Sequence, residues 1–522
     1  MNWKKFCCYL DTIVLEKLCL ESKCKDCKQL IEIKKEAEGK FTEYGVYPNS
    51  INVYDEGWLF IARDNTEKSL IMYGRNAFYD EFEGAESSIN NRPVKVCNLN
   101  NKNCKAIMRM FPYVKPSNHR GQKITIGLGD RLGLASSGHL RLIKDLPVFP
   151  VLAQQSIREL NLTGRTYNDV LCAASWAVFQ EGYTSGFGAD GDHLKTPEEV
   201  KMALDNGFTM ITLDCSEHID NKAASYSANE VNKKYMEIDE DERKRLETAY
   251  KGKTLKLKGG TAVVFEPEEF KKIVLIYLKA IKYTINIYNS TIKNSGRNID
   301  FEMSIDETLT STTPESHYFA ASELIAGGVE ITSLAPKFCG EFQKGIDYMG
   351  DIEQFRKEFE MHVKIAGNFG YKISVHSGSD KFAVFPIIGE ITDGEYHLKT
   401  AGTNWLEAVR VIAGRNPSLY RRMHKFAIEN LDKAKKYYHI SGDPANIPEI
   451  DGLKDEELPS LMDKNDSRQV MHITYGLILM EKKADGIFAF RDEIYSTLHK
   501  YEDDYYSALE KHIGKHLKGL GL

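Results

Sequence analysis

From residue 123 onward the chain repeats one unit, a short apolar run that stops at glycine or polar residues and is followed by a stretch with helical periodicity. The runs fall at 124–128, 148–153, 186–189, 210–213, 299–303, 329–334, 373–375 and 396–400. Eight strands alternating with helices predict a closed (β/α)8 TIM-like barrel, an α/β fold whose functional residues collect at the carboxyl ends of the strands. The helix starts between the runs support this reading. Thr166 caps a helix with Asp169 in its first turn, and Thr196 is followed by Pro197 at the first helical position and by Glu199, which completes a capping box.

The domain division follows from where the repeat begins and ends. Residues 1–117 read as a small α+β domain, with an amphipathic helix reaching to about Glu38 and a hairpin turning at Asp64-Asn65. The barrel spans 118–404 and carries an insertion at about 217–298, composed of a charged helix from Asp239 to Tyr250, a hairpin about Gly259-Gly260 and a long helix from Pro267. Such an insertion is placed to cover the catalytic face. Residues 405–522 are helical, and either pack on the barrel or build the interface of a homo-oligomer.

A net charge of -6 and a pI near 6.2 leave no electrostatic footprint for nucleic acid. The basic run from Lys251 to Lys258 alternates as a half-exposed hairpin face does. The most apolar helical stretch, 270–288, contains Lys271, Lys272, Lys279 and Lys282, so no membrane span is expected. The apolar start of the chain is interrupted by Asp11 and Glu16 and lacks a cleavage site, which predicts a cytoplasmic protein. Cys24 and Cys27 have the spacing of half a zinc site, but no second pair stands at a suitable distance, and free thiols are the expected state of the ten cysteines.

In the barrel, polar residues converge from successive strand ends. They include Asp130 and Arg131 after the first, Gln154 and Gln155 after the second, Asp192 and His193 after the third, Asp214 and His218 near the fourth, Glu302 and Asp306 near the fifth, and His376, Ser377 and Ser379 after the seventh. Two imidazoles with an oxygen ligand suit a divalent transition metal with positions left open for substrate. His193 and His376 are the first two candidate ligands, and the loop after the sixth strand offers Glu341 or Gln343 as the third. Asp192 is placed to take a hydroxyl proton and Glu302 to return one. The plainer alternative is that Asp192 caps a turn and Glu302 pairs with a lysine. His317, just inside a helix start, and Ser467, Arg468 and His472, at another, are weaker candidates for the rim.

The segments GLGDRLGLASSGHLR, FPVLAQQSIRELNLTGRT, GFGADGDHLKTPEEV, TLDCSEHI, SLAPKFCGEFQKGIDY and SVHSGSDKF occur in order between about Leu128 and Phe382. Together they resemble the tagaturonate epimerase family. The resemblance implies reversible interconversion of D-tagaturonate and D-fructuronate in bacterial hexuronate catabolism, with a divalent cation that could be zinc, manganese, nickel, cobalt or iron. The steps at the third and seventh strands are also similar to those of metal-dependent ketose aldolases, which implies an acid/base role for Asp192 and metal ligation by His193 and His376. Those aldolases place a histidine at the sixth strand, where this chain offers Glu341 or Gln343.

The two ketouronates differ at C4, which is not adjacent to the C2 carbonyl, so removal of the C4 hydrogen gives no stabilised enolate. A retro-aldol route avoids this by breaking and remaking the C3–C4 bond. Lys337, Arg131, Lys381 and the backbone amides around Gly378 are candidates for the substrate carboxylate. Two other functions fit the same residues: a metal aldolase that releases its fragments, and a non-catalytic sugar-acid-binding barrel.

Overall fold

The computed structural model describes residues 2–14 and 27–522. Its centre is a closed barrel of eight parallel strands: β1 (Ile124–Leu128), β2 (Val148–Gln155), β3 (Gly188–Leu194), β4 (Met210–Asp214), β5 (Asp300–Ile305), β6 (Ser333–Pro336), β7 (Lys372–Val375) and β8 (Tyr396–Thr400). Each strand pairs with its neighbour in sequence, and β8 closes on β1 with Tyr396 opposite Ile124 and Thr400 opposite Leu128. Every expected strand is present. The sixth lies a few residues later than its apolar run, because Val329 belongs to the end of the preceding helix, where its N–H donates to the Leu324 carbonyl and closes the last turn after Gly327 and Gly328.

The predicted caps form as written. Thr166 and Thr196 each accept from the backbone N–H three residues on, and Asp169 and Glu199 each bond back to the capping residue's own N–H. The Thr196 helix begins immediately beyond β3 and fixes the loop after His193, whereas a short helix, Ile157–Thr163, separates the Thr166 helix from β2.

Much of the barrel interior is polar. Thr125, Asp190, Thr212, Asp300, Glu302, Lys372, His397 and Lys399 are all buried on strands, in place of the branched aliphatic layers usual in such barrels. A charge or amide buried among strands must find partners. Asp190, Thr212, Glu302 and Lys399 partner one another from strand to strand, as do Thr125, Lys372 and His397, and Asp300 takes the His119 N–H from the loop before β1.

Before the barrel stands a five-stranded antiparallel sheet whose hairpin turns at Asn65 and Thr66, with Asp64 paired to Glu67 and Asn65 in the left-handed region at φ 55°. Its faces alternate as a pleated sheet requires. Leu59, Ile61, Leu70 and Met72 join the main core with the barrel, whereas Trp58, Phe60, Ile71 and Tyr73 pack against Trp3, Phe6 and Leu10. Helices Trp3–Leu10 and Lys28–Gly39 occupy the two ends of the expected amphipathic stretch; its middle, with Cys24, lies outside the described residues. Cys7, Cys8, Cys97, Cys104, Cys172, Cys215 and Cys339 are free thiols, but Cys27 is disulfide-bonded, contrary to expectation.

Between β4 and β5 the structure contains helix Glu240–Ala249, a two-stranded hairpin of Thr254–Lys256 with Ala262–Val264, and helix Pro267–Ile287. Arg245 and Tyr250 bind Glu323 on the helix that follows β5. The insertion thus docks on the flank of the barrel.

The carboxyl-terminal helices build a second core around Trp405, Tyr420, Met471 and Tyr475. They are fastened to the loop after β7 by Asp380, which takes Arg468 Nη2 at 2.7 Å and His512 Nε2.

Candidate active site

The carboxyl ends of β3, β5, β7 and β8 bring together Asp190, Asp192, His193, Glu302, Asp306, His376 and Lys399. Strand β3 runs on through Asp192 and His193 to Leu194, and its register with β4 shifts between Gly191 and Leu194. The irregularity leaves His193 at φ 52°, a left-handed conformation that a non-glycine residue holds only when its surroundings enforce it. Ser377, next to His376 at the end of β7, is left-handed as well, at φ 50°. At β3 the left-handed residue is the histidine itself, and at β7 it is the residue that follows the histidine.

The two imidazoles face each other with ring centroids 4.9 Å apart. Asp306 lies between them, with its Oδ1 at 3.1 Å from His376 Nδ1 and 3.7 Å from His193 Nε2. Ser304 donates to the same oxygen and anchors it. One ligand atom from each of the three residues lies within 4.8 Å of the others. The outer nitrogen of each ring is held by a further carboxylate: His193 Nδ1 by Asp192 at 2.8 Å, and His376 Nε2 by Glu302 at 2.6 Å. Histidines oriented by carboxylates, with their inner nitrogens turned to a shared carboxylate oxygen, are a donor set that could hold a divalent cation.

Beneath this triad, Lys399 is surrounded by carboxylates: Asp192 Oδ1 at 2.7 Å, Asp190 Oδ2 at 2.9 Å and Glu302 Oε1 at 3.1 Å. It also donates to Thr212. Burial alone would lower the Lys399 pKa, but Asp190, Asp192 and Glu302 outweigh it and keep the ammonium charged well above its ordinary range. Burial raises Asp192, and Lys399 followed by His193 overcomes that and holds it well below the usual carboxylate range. Asp190 is the carboxyl that loses this competition, pushed up to about 6 by burial and by the neighbouring Asp192 and Glu302 despite Lys399. Four carboxylates around one lysine and two imidazoles leave negative charge for a cation to balance.

Asp192, His193, Asp306, His376 and Lys399 line one pocket. Glu302 is not among its lining residues: it is fully buried below, bound to His376, Lys399 and Ser333. Glu341 and Gln343 line a wider cleft that adjoins the pocket through Asp306, Lys344 and His376. Gln343 donates to Glu341, and its carbonyl oxygen accepts from the Ser441 N–H and from Gln469, so neither residue joins the grouping of His193, Asp306 and His376.

The other sequence candidates separate clearly. Lys381 donates to the carbonyls of Gln343, Ile346 and Ser379, and Lys337 to that of Thr308, so both ammonium groups are committed to backbone. Asp130 accepts four backbone N–H groups of its own loop. His317 is a buried core residue between His362 and Tyr371. His218 stacks on Tyr283 of the insertion. No residue lining the pocket comes from 217–298; the carboxyl-terminal region supplies Tyr438 and His472 instead, and Arg131 enters from the loop after β1.

Sequence reasoning missed Asp190 and, more consequentially, Lys399. Its signal was a lysine at an inward position of β8, two residues after His397, in a strand otherwise read as apolar.

No helix among the described residues is long and apolar enough to cross a membrane. Residues 47–520 match the family model for UxaE, tagaturonate epimerase. A tagaturonate/fructuronate epimerase from Thermotoga maritima is 40% identical over 479 residues, covering 91% of this chain and 96% of that protein. The crystal structure of fructuronate-tagaturonate epimerase UxaE from Cohnella laeviribosi with one glycerol bound superposes with a TM-score of 0.89 at 50% identity, covering 94% of this chain and 99% of that one. The native crystal structure of the same protein gives 0.89 at 49% identity over the same shares. Matched along nearly its whole length in sequence and in fold, the chain belongs to the tagaturonate epimerase family.

Proposed function

We propose that this chain interconverts D-tagaturonate and D-fructuronate by inverting C4, as a metal-dependent enzyme of cytoplasmic hexuronate catabolism. The observation that carries the reading is the histidine pair at the mouth of β3 and β7, each ring fixed by a carboxylate and both facing Asp306, in a chain of this family. A divalent cation held by His193, Asp306 and His376 would supply Lewis-acid stabilisation of negative charge developing on the C2 oxygen.

The chain's own residues do the rest. Asp192 lines the pocket as an ionised carboxylate and accepts the C4 hydroxyl proton. The C3–C4 bond then breaks, its electrons passing through C3 to the C2 oxygen, which leaves a three-carbon enediolate and a three-carbon aldehyde. Rotation about C4–C5 turns the other face of the aldehyde to C3. Re-addition remakes the bond, and Asp192 returns its proton to the new C4 oxygen. Lys399 keeps Asp192 ionised between turnovers, and Glu302, below the pocket, orients His376 and offsets the Lys399 charge. Glu302 is thus a positioning residue in this scheme.

Proton NMR of D-tagaturonate with metal-stripped protein, repeated after adding zinc, manganese or nickel, tests the reading. The expected result is metal-restored formation of D-fructuronate that His193→Ala abolishes. Stoichiometric release of a three-carbon aldehyde would identify an aldolase, and uronate binding without turnover under every metal would identify a binding protein. Appearance of solvent deuterium at C4 would replace the retro-aldol route with direct proton transfer.

A further inference from the structure

The pocket has a second, cationic end. Arg131 is only 3% exposed, and its Nε and Nη2 both bind Glu159 Oε1 at 3.0 Å. The guanidinium stacks on the Tyr475 ring at 3.9 Å. Its Nη1 is buried and has no hydrogen-bond partner among the described residues. His472, 1% exposed, lines the same pocket, and neither ring nitrogen has a hydrogen-bond partner among the described residues. Lys344, whose Nζ donates to Ser377 Oγ at 2.9 Å, and Arg158, over the Tyr438 ring at 5.0 Å, complete this end. A buried guanidinium nitrogen and a buried imidazole left without partners cost free energy unless a ligand supplies acceptors. With Glu159 spent on Arg131, the acceptor that suits Arg131, Lys344 and Arg158 is an anion.

We propose that Arg131, with His472 and Lys344, holds the C6 carboxylate of the substrate, and that this grip retains the aldehyde fragment through C3–C4 cleavage and so makes the protein an epimerase instead of an aldolase. The inference rests on the retro-aldol reading above. Cleavage divides the substrate into the enediolate of dihydroxyacetone, carrying C1 to C3, and 2-hydroxy-3-oxopropanoate, carrying C4 to C6. All atoms and electrons are accounted for by transfer of the C4 hydroxyl proton to Asp192 and of the C3–C4 electron pair to the enediolate. Only the second fragment bears a carboxylate. A grip on that group leaves the aldehyde free to rotate about C4–C5 and prevents its escape, whereas the metal end of the pocket acts on the other fragment.

The test compares wild type with Arg131→Met, Arg131→Lys and Lys344→Met on two substrates: D-tagaturonate, and the neutral 2-ketohexose of the same configuration in which C6 is a hydroxymethyl group. Products are followed by NMR, with metal content and thermal unfolding measured on each variant. Loss of a charge-assisted contact predicts a fall of about 10- to 100-fold in kcat/KM for the uronate, little change for the neutral ketose, and free 2-hydroxy-3-oxopropanoate and dihydroxyacetone from the Arg131→Met and Lys344→Met variants. Arg131→Lys, which keeps the charge, should leak less than Arg131→Met. Equal losses on both substrates, or intact C6 discrimination in Arg131→Met and Lys344→Met, would overturn the proposal. A selective loss on the uronate without any leaked fragment would overturn the retention role. A wild-type protein that turns over neither substrate would instead overturn the epimerase reading itself, and the grip with it.

Discussion

Glu502, at the start of the long carboxyl-terminal helix, is the node through which the amino-terminal sheet is fastened to the rest of the chain. Its carboxylate accepts from Tyr47, Arg63, Lys68 and Tyr506, the first three from the amino-terminal region, and the residue is 5% exposed. Burial raises its pKa, but Lys68 and the surrounding hydrogen bonds outweigh burial and pull it down to about 2 from 4.5. A folded-state pKa below the unfolded one means that the ionised group stabilises the native state above pH 4.5 and loses that contribution as the pH falls towards 2. That difference corresponds to about 3 kcal/mol at pH 7 and about 2 kcal/mol at pH 3.5. The substitution Glu502→Gln keeps the shape and removes the charge, so it mimics the protonated state. Its cost is the loss of the counter-charge to Lys68 and Arg63 in a nearly closed setting, the same interaction that lowers the carboxyl's pKa.

The assay is urea unfolding of wild type and Glu502→Gln at pH 7 and pH 3.5, with calorimetry as a second probe. The variant should be less stable by about 3 kcal/mol at neutral pH, and the gap should narrow by about 1 kcal/mol at the lower pH. Limited proteolysis should also cut more readily between the sheet and the barrel, where the fastening is lost. A variant within about 0.5 kcal/mol of wild type, or a gap that does not depend on pH, would refute the argument.

Metal affinity should fall by more than about 100-fold in Asp306→Asn, beyond the usual cost of losing an outer partner, and remain near wild type in Glu341→Gln and Gln343→Ala; titration calorimetry with zinc or manganese distinguishes these residues. Lys399→Met leaves Asp190, Asp192 and Glu302 without their shared cation, so a proton must settle among them and kcat should drop by about 100- to 10,000-fold; a steady-state rate near wild type would exclude this role. Gly402 has an ordinary helical conformation, but a Cβ there would collide with the His472 ring. Gly402→Ala should therefore cost about 1–3 kcal/mol by overpacking and raise KM by displacing His472, both readable from thermal unfolding and initial rates.

What the sequence disclosed and what it concealed divide along one physical line. The barrel was legible because each strand is a local apolar run and each helix announces its start with a cap, as at Thr166 and Thr196. The histidine pair was legible for the same reason, since position at a strand end is itself local. Asp306 as the residue between the two rings was not legible. Choosing it over Glu341 requires knowing that the β5 end points at the β3 and β7 ends, while the loop after β6 is drawn away by Ser441 and Gln469. Lys399 was concealed by a different rule: a lysine in an apolar strand reads as an edge or an exposed position until the carboxylates of three other strand positions are seen around it. Arg131 and His472 were each legible as candidates, but their meeting in one pocket was not, because one comes from the first loop of the barrel and the other from a helix 341 positions later in the chain. The cations of that end, Arg131, Lys344 and Arg158, come from the barrel, and the carboxyl-terminal helices close it with the Tyr475 and Tyr438 rings and His472. This gives them a function that their helical pattern never indicated: they supply one wall of the site.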